Sequence, residues 1–327
     1  MPGRHSALSW AAPAREVHLV GRRWWVPWLW LAPAALLIGA FLLYPSLDTI
    51  RRSFLDARSD GYVGLDNYRF IIDNPNPLAS NTHSALWNNL LWLLLFTAIA
   101  VPLGLVLAVL TGRVRYEAVA KSAIFIPMAI SFVAAAVIWR FIYEFNPEIG
   151  TANAITTELG AEPTAWLQNT GSPWIFATSA GPDELPGPLQ LNNIVLILVG
   201  VWMWTGFAMV VLSAGLKGIS SEILEAARVD GARESQIFWR IIVPILSPTI
   251  VVVATTLIIQ ALKKFDLVWV MTGGRFETDV VATLFFKEAF VIRNFGVGAA
   301  LAVILLLWVV PIMVISIRRF QFQEETR

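Results

Sequence analysis

Apolar residues in this 327-residue chain fall into long continuous runs separated by polar segments. Several runs approach the roughly 20 residues that a helix needs to cross hydrocarbon about 30 Å thick. The runs do not alternate between apolar and polar residues, so they predict membrane helices and not a β-barrel. We therefore predict an all-α membrane protein with six transmembrane helices, at residues 26–44, 88–110, 122–143, 192–216, 245–262 and 297–317.

The boundaries of these spans carry residues typical of a membrane surface. A tryptophan cluster opens the first span, which is expected to end at Tyr44-Pro45. A cleaved signal peptide is the alternative, but its apolar core is only ~7–15 residues long, so a retained anchor is favoured. Prolines within the spans predict bends, because neighbouring groups can satisfy the carbonyls that they free. These prolines are Pro33, Pro102, Pro127 and Pro311.

The distribution of charge predicts the orientation. Six spans place both termini on one side, and Lys and Arg concentrate in the N-terminal tail, the 111–121 loop, the 217–243 loop and the C-terminus. The 144–190 loop has no Lys or Arg. Because positive residues stay inside, both termini are predicted to be cytoplasmic. The predicted division is a cytoplasmic tail at 1–25, a transmembrane domain at 26–318 with a long external loop at 144–190, and a cytoplasmic tail at 319–327.

Composition narrows the chemistry. The chain is 57% hydrophobic and 14% charged, far from the quarter charged of soluble proteins, and its net charge of +1 argues against a nucleic-acid partner. It has no cysteine, and His5, His18 and His83 lack ligand spacing, so neither a metal site nor catalytic residues are predicted. No phosphate-binding G-x-x-x-x-G-K-[ST] run occurs. Any ATP-driven activity must draw its energy from another chain.

Residues 217–244 are predicted to form two short helices joined by a turn. Ser220 or Ser221 can cap the first helix, and Asp230-Gly231 can end it and cap the second. Pro244 is expected to stop the second helix at the membrane.

The first of these helices has one small apolar face. Ile219, Ile223, Ala226 and Ala227 recur at spacings of three and four residues. A helix lying on the lipid surface is one interpretation. Alanine favours docking to another protein, because small side chains permit close approach.

The pattern of this segment resembles the EAA loop of binding-protein-dependent ABC sugar importer permeases. In that family the loop, between spans four and five, docks into a cleft on the ATPase subunit. The resemblance assigns this ATPase-coupling role to Glu225, Ala226, Ala227, Asp230, Gly231, Ala232, Phe238 and Pro244.

Weaker resemblances follow in the expected order over about residues 26–320. They are Gly64–Tyr68, Asn89, Pro102, Leu105, Pro127, Trp139-Arg140, Trp166-Leu167, Trp202, Trp204, Phe265-Asp266 and Met271–Gly274. Two departures are Arg275 where the family often has proline, and the long 144–190 loop. With Arg293–Gly296, these departures look most like the α-glucoside group.

The resemblance implies a bacterial inner-membrane permease subunit that imports an α-glucoside or another oligosaccharide by alternating access. The implied partners are a second homologous permease, two ATPase subunits that bind ATP and Mg, an external solute-binding protein, the sugar and membrane lipid. The alternatives are a permease for another polar solute, such as a glycerol phosphate, or a secondary transporter. A membrane enzyme and a structural scaffold are the other rival classes.

The predicted solute contacts are polar neutral and aromatic residues, which suit a neutral polyol. Polar residues within spans also form helix–helix hydrogen bonds, so a structural role stays open for each. The run Lys263–Asp266 fits either an interfacial belt or the solute path. The substrate-pathway candidates are Trp202, Trp204, Gln260, Asp266 and Asn294.

Overall fold

The computed structural model describes residues 25–73, 82–171 and 189–325. Nearly all of the predicted N-terminal tail, the centre of the 144–190 loop and the last two residues therefore lie outside the described residues. The helices are α1 (Val26–Arg52), α2 (Asp66–Asp73), α3 (Ser84–Thr111), α4 (Glu117–Ala129), α5 (Phe132–Ile142), α6 (Thr151–Glu158), α7 (Leu191–Lys217), α8 (Ser221–Val229), α9 (Glu234–Leu262), α10 (Asp266–Met271), α11 (Val281–Phe286) and α12 (Phe295–Glu325).

The all-α class is confirmed, whereas the count of six spans is not. In the described ranges, four helices are long and apolar enough to cross a membrane: α1, α3, α7 and α9. A fifth crossing exists if α4 and α5 count as one broken span. The apolar part of α12 that can be judged, Phe295–Pro311, is shorter than a full span. The chain divides into two compact units, residues 1–48 and 49–327, and every site described below lies in the second.

The third predicted span is not one straight helix, because α4 and α5 meet at a bend of 95°. Ile130 leaves the helical conformation with ψ of 139°, three residues after Pro127. Ser131 then caps α5 by accepting a hydrogen bond from the Ala134 amide at 3.1 Å. Ser131, which falls within the predicted third span, is therefore a helix cap.

Two prolines that were expected to end helices lie inside continuous ones, so those predicted ends were wrong. Pro45 lies within α1 and Pro244 within α9. A π-helical turn precedes each, at Gly39–Leu43 and Phe238–Ile242. Proline ordinarily clashes with the carbonyl four residues earlier. The wider turn, with hydrogen bonds to the fifth preceding residue, supplies a physical reason why both helices continue.

Helix α7 forms the centre of the second unit and packs against α3, α4 and α9. Small residues bring the helices close together. A methyl group built on Gly206 would lie 2.5 Å from the Ile124 carbonyl oxygen, and one on Gly104 would lie 2.5 Å from Cβ of Ala208. Lipid is as apolar as a side chain, so such close van der Waals packing supplies much of the attraction between membrane helices.

The 27 residues of α7 separate two groups of loops by roughly 40 Å. At its C-terminal end, Lys217 pairs with Glu117, which begins α4. At its N-terminal end, Asn192 donates a hydrogen bond to the Phe276 carbonyl in the loop after α10. The segment predicted to couple to an ATPase therefore lies at the opposite end of the spans from residues 272–280.

Candidate coupling loop and solute pathway

The 217–244 segment begins as its sequence predicts. Ser220 caps α8, its hydroxyl oxygen accepting a hydrogen bond from the Glu222 amide at 3.2 Å. The helix ends at Asp230, and Gly231 adopts φ of +79°, the left-handed conformation that favours glycine. The Ala232 amide then donates to the Ala227 carbonyl at 3.0 Å. Local capping chemistry thus fixes the turn between the two helices.

The second helix starts differently from its prediction. Arg233, and neither Asp230 nor Gly231, is the residue that precedes α9 in extended conformation. The side-chain oxygen of Gln236 reaches back and accepts a hydrogen bond from the Arg233 amide at 2.8 Å. The start of α9 is therefore held by a residue inside the helix, and α9 continues directly into the apolar span.

Helix α8 presents an open surface, since none of its nine residues is buried. Ile223 is 47% exposed and Val229 is 87% exposed. Of the residues assigned to coupling, Glu225, Ala226, Asp230, Gly231 and Pro244 are exposed, whereas Ala227, Ala232 and Phe238 are half-buried. Phe238 packs against the main hydrophobic cluster and joins the segment to the helix core.

Ion pairs connect the turn between α8 and α9 to the neighbouring 112–116 loop. The Glu234 carboxylate accepts from Arg228 at 2.8 Å and from Arg113 at 3.0 Å. The hydrogen bond from the Arg228 side chain to Glu234 raises the pKa of Arg228. Exposed ion pairs add little to stability individually, but together these two join α8, α9 and the loop after α3.

The substrate-pathway candidates do not form one cluster. Gln260 and Asp266 both line a cavity of about 40 Å³, together with Phe132 and Lys264. Trp204 lies behind this cavity, buried and stacked on Phe132 with ring centroids 6.3 Å apart.

The remaining two candidates lie elsewhere. Trp202 packs edge-on against Trp139 at 5.5 Å. Asn294 caps α12, its side-chain oxygen accepting from the Val297 amide, and it lines neither cavity described here. Its position favours a structural role.

Lys264, adjacent to the predicted Asp266, has a setting that sequence reasoning missed. The side chain is only 5% exposed, and its ammonium lies 5.2 Å from the ring centres of Trp92 and Phe132 and 5.3 Å from that of Phe96. In the part of the chain that the structure describes, no carboxylate forms an ion pair with it. Aromatic faces attract a cation, so the three rings stabilise the ammonium together with the nearby Asp266 carboxylate.

A larger cavity, of about 220 Å³, lies at the other end of α7 from the coupling segment. Sequence reasoning missed it, although Trp139-Arg140 and Met271–Gly274 were singled out nearby. The walls come from the end of α5, residues 165–168 and residues 271–276. Its lining residues are Arg140, Tyr143, Glu144, Phe145, Ala165, Leu167, Gln168, Met271, Thr272, Arg275 and Phe276.

Asp279 lies in the loop after the cavity wall formed by residues 271–276. Burial raises the pKa of Asp279, although Lys287 opposes this with hydrogen bonds of 2.8 and 2.9 Å to the carboxylate. Within the described ranges, no three His, Asp or Glu residues are grouped as a metal site would require.

Comparison with known proteins identifies the family. Residues 100–323 match the family described as "Binding-protein-dependent transport system inner membrane component". The "Osmoprotective compounds uptake permease protein GgtC" of Synechocystis is 48% identical over 303 residues, which cover 91% of this chain and 100% of that protein. The "Alpha-glucoside transport system permease protein AglF" of Rhizobium meliloti is 42% identical over 299 residues, covering 89% and 81%.

Solved structures agree on the fold. One chain of a bacterial alginate ABC transporter, in complex with an alginate pentasaccharide-bound periplasmic protein, matches with a TM-score of 0.70 and 20% identity. The match covers 89% of this chain and 92% of that chain. At this identity the likeness concerns the fold alone, whereas the family match spans more than half of the sequence. The chain therefore belongs to the family of inner-membrane components of binding-protein-dependent transport systems, as the EAA pattern predicted.

Proposed function

We propose that this chain carries an α-glucoside or another oligosaccharide across the cytoplasmic membrane by alternating access. Permeases of this family are not themselves enzymes, and a separate subunit hydrolyses ATP. Support for a saccharide comes from the names of the relatives, including an α-glucoside permease at 42% identity and an arabinooligosaccharide permease of Bacillus subtilis at 28%.

The proposed assembly contains this chain, a second homologous permease, two ATPase subunits that hold ATP and Mg, and an external solute-binding protein. Six crossings with both termini cytoplasmic place α8 inside. In this arrangement α4 and α5 count as one broken crossing and α12 supplies the sixth. The alginate transporter that shares the fold was crystallised with a periplasmic protein, which is consistent with such an assembly.

The observation that carries the proposal is the surface of α8. It is a helix with small, exposed apolar residues, capped at both ends and joined by ion pairs to two spans. A partner bound there can transmit movement only if ATP stabilises one state of the assembly more than the other. A rigidly connected α8 allows that difference in binding free energy to reach the helices around the solute.

Bulky substitutions in the turn test the docking role. Ala226→Trp and Gly231→Trp should abolish co-purification of the ATPase subunits while membrane insertion is preserved. Ala226→Ser and Gly231→Asn are the matched controls, because serine is small and asparagine accepts the left-handed conformation of Gly231. Retention of the ATPase subunits at normal stoichiometry in both tryptophan variants would contradict the assignment.

Uptake by the assembled importer in proteoliposomes tests the solute class. Labelled maltose, trehalose and sucrose are compared with sn-glycerol 3-phosphate, which a Brucella abortus relative of 28% identity is named for. We expect ATP-dependent uptake of at least one α-glucoside and none of the phosphate ester. Uptake of the phosphate ester and of none of the sugars would contradict the proposal of a saccharide solute. If a proton uncoupler abolishes uptake and ATP depletion does not affect it, the chain is a secondary transporter.

A further inference from the structure

The 220 Å³ cavity has a wall whose backbone is held in an unfavourable conformation. Phe276 and Glu277, consecutive non-glycine residues, have φ of 55° and 58°. Such conformations cost of order 1–3 kcal/mol each and persist only where the surroundings enforce them. Phe276 and the preceding Arg275 both line the cavity.

Side-chain amides from distant helices enforce this conformation. The Asn192 amide donates to the Phe276 carbonyl at 2.6 Å, and the Asn88 amide donates to the Glu277 carbonyl at 2.6 Å. Gln190 donates to the Glu277 carboxylate at 2.7 Å. All three amide residues are buried, so the wall is fixed against the ends of α3 and α7.

The opposite wall is organised by one fully buried side chain, Asn153. The two hydrogens of its amide nitrogen are shared among the carbonyls of Glu144, Phe145 and Thr164, at 2.9–3.1 Å. Its oxygen accepts from the Thr164 amide and from the Trp166 indole. Asn153 thus joins the segment after α5 to the segment that carries Ala165 and Gln168, both of which line the cavity.

The groups facing the cavity suit a hydroxyl-rich ring. Arg140 and Arg275 supply planar donors, and neither guanidinium has an ion pair or hydrogen bond within the described residues. Glu144 supplies acceptors and Gln168 supplies both donors and acceptors. Tyr143 adds an aromatic surface that continues into the Trp139 ring, 5.3 Å away.

The charge and the volume of the cavity restrict the class of ligand that it can hold. The Glu144 carboxylate opposes a purely anionic ligand, whereas pairs of hydroxyls can donate to it and accept from the arginines. A volume of 220 Å³ is below the ≈ 300–1,000 Å³ of pockets that enclose drug-sized molecules, which favours a single sugar ring.

We propose that this cavity is a receiving subsite that holds one neutral hexose ring of the solute. It lies at the end of α7 opposite the coupling segment, separate from the Gln260 cavity. This inference rests on the proposed function, because it assumes that the solute is a saccharide. A ring held there would be positioned before it enters the path between the spans.

Binding to the assembled importer in nanodiscs, without ATP, tests the subsite. The probes are maltose and methyl α-D-glucopyranoside, with methyl α-D-glucuronide as the anionic comparison, followed by saturation-transfer NMR. We expect both neutral sugars to bind, and Arg140→Gln and Arg275→Gln to weaken binding at least tenfold. Arg69→Gln is the matched control, because Arg69 is exposed, has Asp66 as its one ion-pair partner among the described residues and lies outside the cavity.

The same variants are then assayed for ATP-driven uptake in proteoliposomes. The subsite predicts a higher KM with little change in maximal rate, which a general loss of structure would not give. Unchanged sugar binding in both cavity variants, tighter binding of the glucuronide, or absence of neutral-sugar binding to the unaltered complex overturns the subsite. If α-glucoside uptake persists in that case, the proposed function stands. If uptake is absent while the cavity variants still weaken sugar binding, the transport assignment fails and the subsite stands.

Discussion

Lys264 is a buried cation that aromatic rings from neighbouring helices surround. A buried ammonium that forms no direct ion pair among the described residues is costly, and three aromatic rings at 5.2–5.3 Å offset part of that cost. The rings belong to α3 and to the start of α5, whereas Lys264 follows α9. The side chain therefore connects three spans next to the cavity that Gln260 and Asp266 share.

Two substitutions of Lys264 distinguish the contribution of its charge to stability from that of its packing. Lys264→Met keeps an unbranched chain in an aromatic setting, and apolar replacement of a buried charge is often neutral, so we expect a change in unfolding free energy below about 1.5 kcal/mol. Lys264→Gln leaves a buried amide without a partner and should destabilise by about 1–3 kcal/mol. Thermal unfolding of the purified complex measures both. A methionine variant less stable than the glutamine variant would contradict this explanation.

A substitution at Gly206 tests how closely α7 and α4 are packed. A methyl group there would lie 2.5 Å from a backbone oxygen, which cannot rotate away. Gly206→Ala should therefore destabilise the protein by about 1–3 kcal/mol through overpacking. Gly112→Ala is the control, because its methyl group would make ordinary contact at 3.4 Å. Equal thermal stability of the two variants would show that the helices are less tightly packed than described.

At the scale of elements, sequence reasoning succeeded where the signal is local. Ser220, Asp230 and Gly231 fix α8 through capping and backbone preferences that act within a few residues. The same reasoning failed at Pro45 and Pro244, because a π-helical turn beside a proline has no simple sequence signature.

The cavity walls depend on contacts that no local pattern reveals. Asn192 and Asn88 bond to carbonyls 84 and 189 residues away along the chain. Neither asparagine differs in sequence from an ordinary polar residue near a span. The predicted pathway residues were therefore chosen by type and resemblance, and only Gln260 and Asp266 came together in one cavity.

The orientation of the elements can be tested directly, because the natural chain has no cysteine. Val229 and Leu159 are suitable positions for single cysteines, because their side chains are 87% and 81% exposed. With both termini inside, a membrane-impermeant maleimide should label Leu159→Cys in intact spheroplasts and Val229→Cys only after the membrane is opened. The reverse pattern would invert the proposed topology.

The two proposed sites of the second unit lie at opposite ends of α7. One end carries α8 and its ion pairs, and the other carries the amide-fixed cavity. Helix α7 is buried along most of its length, so it connects the two ends as a packed element. Coupling between nucleotide and solute then requires that both ends favour the same arrangement of the spans.

Site-specific crosslinking tests most sharply whether α8 docks on an ATPase subunit. A photo-reactive phenylalanine analogue replaces Ile223, and Leu159 carries the same probe as the control in the assembled importer. We expect a crosslink from position 223 to the ATPase subunit, with an efficiency that changes between ATP-bound and nucleotide-free states, and none from position 159. A crosslink from position 223 only to lipid, or no crosslink at all, would contradict that docking.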